Sequence, residues 1–186
     1  LANQDSSLHF ALLTDFPDAP QQTLPGDEAL VRRARAGIDA LNEKYRGTRN
    51  DNGDDTFFLF HRPRRWNAEE RTWMGYERKR GKLEELNGLL RGADVDRFSH
   101  IVGDIGVLSN VKFVITLDTD TQLPRDSARQ FVGAIAHPLN RPYFDPVRQR
   151  VTEGYGILQP RVAVSLPGTN RSLYARLYGG EPGIDP

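Results

Sequence analysis

The stretch Lys112-Phe113-Val114-Ile115-Thr116-Leu117-Asp118-Thr119-Asp120-Thr121 constrains the fold most tightly. An apolar, β-branched run this short reads as a buried strand, and it stops on two carboxylates. Residues two apart on an extended chain point to one side, so Asp118 and Asp120 can converge while Thr119 faces away. Converging carboxylates repel unless a cation lies between them, and hard oxygen ligands suit magnesium, manganese or calcium. A strand that delivers a metal site is the expectation.

The chain before and after this run repeats the same grammar. Leu8 to Thr14 reads as a strand closing on Asp15, with a loop through Phe16, Pro17 and Pro20. From Pro25 to Tyr45, Leu30, Ala34, Ile38, Leu41 and Tyr45 recur at helical spacing, and Asp27 and Glu28 in the first turn complement the helix dipole. Thr56 to Phe60 is a third strand that runs straight into Arg62-Pro63-Arg64-Arg65-Trp66. A helix is predicted over Glu77 to Arg91, capped by Gly92, with Leu83, Leu86 and Leu90 as its apolar stripe. Lys79 projects onto that stripe at the N-terminal end, pointing toward the sheet edge where a phosphate could receive it. Val95 to Asn110 carries no dominant period. Pro124 suits a first helical turn, and Ala128, Phe131, Val132 and Ile135 form a buried face until Pro138. Pro138 to Pro146 is a proline-rich loop, Gly154 to Val164 a strand interrupted by Pro160 and so near an edge or bulge, and Asn170 to Tyr178 a short helix. Strands alternating with helices imply an α/β fold: an open, mostly parallel, Rossmann-like sheet flanked by helices. Such sheets bind ligands outside the carboxyl ends of their strands. Asp15, the arginines after Phe60, and Asp118 with Asp120 would gather on that edge.

Composition narrows the function classes. At 186 residues one domain is the default, and 25 basic against 25 acidic residues leave no global basic field to argue for nucleic acid. Without cysteine, disulfide and thiolate-metal scaffolds are excluded. No apolar run approaches the roughly twenty residues that span a bilayer. The chain opens at Leu1 without a methionine and closes in the loop-like Gly-Ile-Asp-Pro, as an excised piece of a longer polypeptide would, so membrane segments could lie outside it.

Each constellation has a plainer reading beside the functional one. Asp120 or Thr121 could cap the helix that follows, which would make the acids part of a non-catalytic interaction domain. An EF-hand loop fails, since Leu123 and Arg129 stand where glycine and the bidentate glutamate belong. A magnesium-dependent phosphatase with an aspartate nucleophile also uses Asp-x-Asp after an apolar strand, but wants threonine or valine where this chain has Gln122. Arg62, Arg64 and Arg65 could be a solvated loop or a diphosphate clamp, since bidentate arginines match phosphate oxygens. Lys79 and Lys82 carry the same ambiguity. Trp66, Trp73 and Tyr76 could stack on sugars or simply pack. His9, His61, His100 and His137 show no metal-ligand spacing, and no P-loop or nucleophile elbow occurs.

Five segments together carry a resemblance that covers nearly the whole chain: Leu12 to Ala19 (LLTDFPDA), Phe60 to Asn67 (FHRPRRWN), Glu77 to Lys82 (ERKRGK), Thr116 to Arg125 (TLDTDTQLPR) and Gly154 to Arg161 (GYGILQPR). They resemble the glucosyltransferase region of the cyclic β-1,2-glucan synthases. These are large bacterial inner-membrane proteins whose cytoplasmic glycosyltransferase portion is similar to the GT-A fold of processive synthases such as cellulose synthase. The resemblance implies UDP-glucose as donor, a growing β-glucan as acceptor, and Mg2+ or Mn2+ as cofactor. It implies that Asp118 and Asp120 hold the metal on the donor diphosphate and that Asp15 contacts the uridine part. The lysine that meets the diphosphate is Lys79 by the Lys-x-Gly register, in agreement with its helical position, or Lys82 by alignment on Asn87. Arg62, Arg64, Arg65 and Gln159 are further candidates for diphosphate or sugar contacts. The family's first strand would precede Leu1 and the acid that deprotonates the acceptor would follow Pro186, so the implied chemistry is an inverting transfer for which this piece supplies only the leaving-group half. The isolated piece is expected to be inactive.

Overall fold

The computed structural model describes residues 2–47 and 54–161. The chain divides into two compact units, Leu1–Arg129 and Gln130–Pro186. The class is mixed α/β with small, open sheets.

The first unit is built on β2 (Phe57–Arg62), in which every residue is buried. Alternate side chains of a strand face opposite ways, and both faces of Phe57-Phe58-Leu59-Phe60 are apolar, so the strand must be covered on both sides. Helix α1 (Asp27–Tyr45) covers one face, packing Ile38 with Phe57 and Leu59, beside Ala34 and Tyr45. Helix α2 (Arg78–Leu90) covers the other, packing Leu86, Leu89 and Leu90 with Phe58 and Phe60, where Phe98 and Leu108 complete the cluster. Phe58, Leu59 and Phe60 are completely inaccessible, and each contributes roughly 2–3 kcal/mol by leaving water. Asn42 ties α1 to the head of β2: its Nδ2 donates to Phe57 O (2.8 Å), and its Oδ1 accepts from the N–H of Phe57 (2.8 Å) and of Thr56 (3.1 Å).

Strand β1 (Phe10–Asp15) pairs with β2 in parallel, in a register that sets Asp15 opposite Arg62. On the other side of β2 lies β5 (His100–Val102), antiparallel, with His100 opposite His61. Between them, β3 (Arg65–Asn67) and β4 (Thr72–Met74) form a separate hairpin. Helix α2 starts after a turn at Tyr76-Glu77, closed by the Arg78 N–H on Gly75 O (2.8 Å), and is stopped by Gly92, whose φ of +89° is a left-handed conformation that costs glycine nothing.

The sheet is not mostly parallel: only β1 and β2 run together, because β5 returns along β2 in the opposite sense and the remaining ladders are antiparallel hairpins. The run Lys112 to Thr121 is not a buried strand. Residues 111–118 join no ladder, and Phe113, Val114 and Leu117 are 40%, 52% and 47% exposed. Val114 and Thr116 line a groove with Leu83, Leu86, Asn87 and Leu90 of α2. Both long edges of β2 are already occupied, and an extended segment lying on a helix finds leucines there but no backbone partners.

Helix α3 (Ser127–Ala136) continues into the second unit and ends before Pro138, as its sequence predicts. The second unit contains a hairpin of β6 (Tyr143–Asp145) and β7 (Arg150–Glu153). Its turn is held by Asp145 Oδ1, which accepts from the N–H of Val147 (2.8 Å) and Arg148 (3.0 Å), so part of the expected Pro138 to Pro146 loop is in fact a strand. The expected strand from Gly154 forms no ladder through Arg161; Gly154 turns the chain with φ +69° and Pro160 offers no N–H. Residues 162–164 of that stretch, and the helix expected at Asn170 to Tyr178, lie outside the described residues. Among the described residues no helix is long and apolar enough to cross a membrane.

Candidate functional site

The parallel register of β1 and β2 brings an acid and a base to neighbouring strand ends. Asp15 Oδ2 accepts from Arg62 Nη2 at 2.8 Å, and Asp15 Oδ1 accepts from Lys82 Nζ at 3.0 Å. The Arg62 guanidinium is 3% exposed and has further partners: Nη1 donates to Glu85 Oε2 (3.2 Å) and Tyr76 O (3.1 Å), and Nη2 to Arg78 O (3.1 Å). Lys82 and Glu85 are three apart on α2 and so share a face of the helix. The cluster balances two positive and two negative charges at the rim of the core.

Two glycines make this corner possible. A Cβ on Gly75 would overlap the Asp15 carboxylate, and one on Gly81 would overlap Tyr76 O and come within 3.1 Å of Arg62 Nη1. The two residues before Lys79, Glu77 (φ +57°) and Arg78 (φ +44°), are both left-handed, which is uncommon for residues with side chains. Arg62 bonds the carbonyls that bracket them.

An open cleft of about 460 Å³ lies against this corner, lined by Asp15, Phe16, Pro17, Asp18, Gly75 and Arg78. Arg78 Nη2 closes one side by donating to Asp18 Oδ2 (2.8 Å) and Glu70 Oε2 (3.2 Å), and the hydrogen bond it donates to Asp18 raises the guanidinium pKa. The wall formed by the 16–22 loop is anchored from beneath by Arg64, which is buried. Arg64 donates to Pro17 O (2.6 Å), Gln22 O (3.2 Å) and the Asp27 carboxylate (2.5 Å), and lies over the Phe16 ring at 4.7 Å. That pairing, with the Leu24 N–H, holds the Asp27 carboxyl below the usual carboxylate range. His61 stands behind the same wall. Its Nδ1 pairs with Thr14 Oγ1 at 2.9 Å, its ring meets Phe16 edge-on at 4.3 Å, and burial is the main cause that pushes its pKa down to about 4.

The second acidic element meets α2 at Lys79, three residues before Lys82. Thr121 N–H donates to Asp118 O (3.0 Å), which makes Asp118 to Thr121 a tight turn, and Lys79 Nζ donates to Asp118 Oδ1 at 2.5 Å. Asp118 and Asp120 are exposed, and neither lines the cleft beside Asp15. Thus α2 presents Lys82 to Asp15 and, one turn earlier, Lys79 to Asp118. Of the other sequence candidates, Arg62 and Arg64 are buried with their guanidinium groups engaged inside the protein, Arg65 is half-buried on β3, and Gln159 is exposed in the second unit. Asp18, Arg78 and Gly81 fall within the segments that carry the resemblance but gain no role from it, and Glu85 and Gly75 are not singled out by the sequence. Glu85 has a usable signal in its spacing of three from Lys82.

Among the described residues no cluster of three or more histidine, cysteine, aspartate or glutamate side chains forms a metal cage. Asp118 and Asp120 are hard oxygen donors on an open turn, the donor set by which magnesium and manganese are held when substrate phosphates supply the remaining ligands. By donor type the two acids suit a hard divalent cation, and Asp118 is paired with Lys79.

No family model matches the chain. Over its whole length, in an alignment of 187 residues, it is 44% identical to the cyclic β-(1,2)-glucan synthase NdvB of Rhizobium meliloti (strain 1021). The chain spans about 6% of that protein's length. The likeness to cyclic β-1,2-glucan synthases thus extends from end to end of the chain and is not confined to its motifs.

Proposed function

We propose that this chain is part of the glycosyltransferase domain of a glucan synthase, of GT-A type, that moves glucose from UDP-glucose to a growing cyclic β-glucan. The observation that carries the reading is the division of labour on α2, which sets Lys79 on Asp118 and Lys82 on Asp15 within a chain 44% identical throughout to a protein of that name. Both lysines are cations that a diphosphate would attract, and both acids lie where strand ends and turns present them.

In this reading the cleft beside Asp15 takes the uridine part, with the Asp15 carboxylate as acceptor for its N–H or hydroxyl groups. Asp118 and Asp120 would hold Mg2+ or Mn2+, which would supply neutralisation of the charge that builds on the leaving diphosphate. Lys79 and Lys82 add positive charge beside the same oxygens, Lys82 from its place on Asp15. The transfer inverts the anomeric centre, and the acid that takes the proton from the acceptor hydroxyl belongs to sequence beyond this chain. The parent protein works at the cytoplasmic face of the inner membrane.

Titration calorimetry of the full chain with UDP and Mn2+ tests the reading. Binding is expected, and Asp118→Ala with Asp120→Ala should weaken it at least tenfold and abolish its dependence on Mn2+. Undiminished affinity in the double variant, or no affinity in the natural chain, refutes it.

A further inference from the structure

We propose that Arg62 is the positioning residue of this site, a buried fork that locks the Asp15 carboxylate to the first turn of α2 so that Asp15, Lys79 and Lys82 are presented as one unit. The inference rests on the reading of the site as a sugar-nucleotide one.

Arg62 is unsuited to touching a ligand itself. Its guanidinium is enclosed, and both terminal nitrogens are spent on Asp15, Glu85, Tyr76 O and Arg78 O. It is also a costly way to fill the space. Its Nε is buried with no hydrogen-bond partner among the described residues, and buried ion pairs are often no more stabilising than apolar residues of the same volume. What the guanidinium provides that an apolar residue cannot is geometry. Two nitrogens at fixed separation hold a carboxylate from β1 and two carbonyls from the helix start, and those carbonyls bracket Glu77 and Arg78 in their left-handed conformation. Residues held there need surrounding structure to keep them, and Lys79 follows directly. Gly75 and Gly81 clear the space on either side, one for the Asp15 carboxylate and one for Tyr76 O and Arg62 Nη1.

A lysine cannot replace this fork, because one ammonium cannot reach a carboxylate and two separated carbonyls in one plane. UDP affinity with Mn2+ is measured for the full natural chain, for Arg62→Lys, and for Arg62→Ala with and without methylguanidinium, with thermal unfolding followed in parallel. Arg62→Lys is expected to remain folded and to lose about tenfold or more in UDP affinity, the value of one charged hydrogen bond misplaced. Arg62→Ala is expected to regain affinity with methylguanidinium and not with methylammonium, which a purely space-filling role would not distinguish. Natural affinity in Arg62→Lys overturns the inference and leaves the proposed function standing, as does rescue of Arg62→Ala by both additives or by neither. Absence of UDP binding in the natural chain removes the proposed function first.

Discussion

Protonation of His61 should cost the protein stability in a pH window set by its burial. In the unfolded chain the imidazole titrates at its ordinary 6.5; folded, it titrates at about 4. Burial is the largest cause, His100 across the strand pair and Arg64 push the same way, and Asp15 and Asp27 oppose them. Because the folded value is the lower one, the neutral ring's contribution is fully present above pH 6.5. It is lost as pH falls, since the unfolded chain takes up the proton first. Linkage gives about 2 kcal/mol lost at pH 5 and about 3 kcal/mol at pH 4. Urea unfolding followed by the fluorescence of Trp66 and Trp73 measures this, with His61→Asn as the reference so that carboxylates common to both proteins cancel. Stability of the natural chain should fall relative to the variant by those amounts between pH 7 and pH 4. Parallel curves for the two proteins would mean that His61 titrates normally in the folded state, and the burial argument would fail. The consequence reaches the cleft, because His61 lies between Thr14, which precedes Asp15, and Arg62.

Two further substitutions test how the frame holds the site. Asn42→Ala leaves the buried N–H of Phe57 without its acceptor and should destabilise the chain by about 2–3 kcal/mol, read as a lower urea midpoint with unchanged slope. Gly75→Ala drives a methyl group into the Asp15 carboxylate. It should cost about 1–3 kcal/mol of stability and weaken UDP binding in calorimetry, whereas the same change at Gly37, which has open space around it, should do neither.

What could be read from the sequence and what could not divides along the range of the interactions. Helices α1 and α2 and strands β1 and β2 announce themselves because their apolar periods are local and their ends carry acids, glycines or prolines. Asp15 was legible for the same reason, as the acid that closes a strand. The three residues of β5 are too few for a period to show, and its place beside β2 depends on Phe98 and Leu108 closing the same cluster. Arg62 and Arg64 looked alike in a basic run, yet one serves Asp15 and the start of α2 while the other serves Asp27 and the 16–22 loop. Strand β2 ends at Arg62 and Arg64 lies beyond it, past Pro63, so the two side chains meet different partners, which lie 47 and 37 residues away in sequence. The misreading of Lys112 to Thr121 has a different source. Apolar composition calls for cover of any kind, whereas a strand needs neighbours for its N–H and C=O groups, and α2 supplies only the cover.

The same distinction bears on the two lysines. Successive positions Lys79 and Lys82 are separated by about 4.5 Å along the helix axis, enough to give each its own carboxylate. Lys79 and Asp118 are 57% and 59% exposed, and an ion pair that open to water is worth only about 0–1 kcal/mol. Lys82 and Asp15 are 23% and 15% exposed, and Asp15 is held by Arg62 as well. On the proposed reading, a diphosphate entering beside α2 therefore meets one lysine that is cheap to detach and one that is anchored. Lys79 would be the one to change partner, which would free Asp118 to hold a cation. Lys82 stays on Asp15 and contributes its charge from a fixed place. If both lysines serve a diphosphate, the exposures make Lys79 the one that detaches more cheaply.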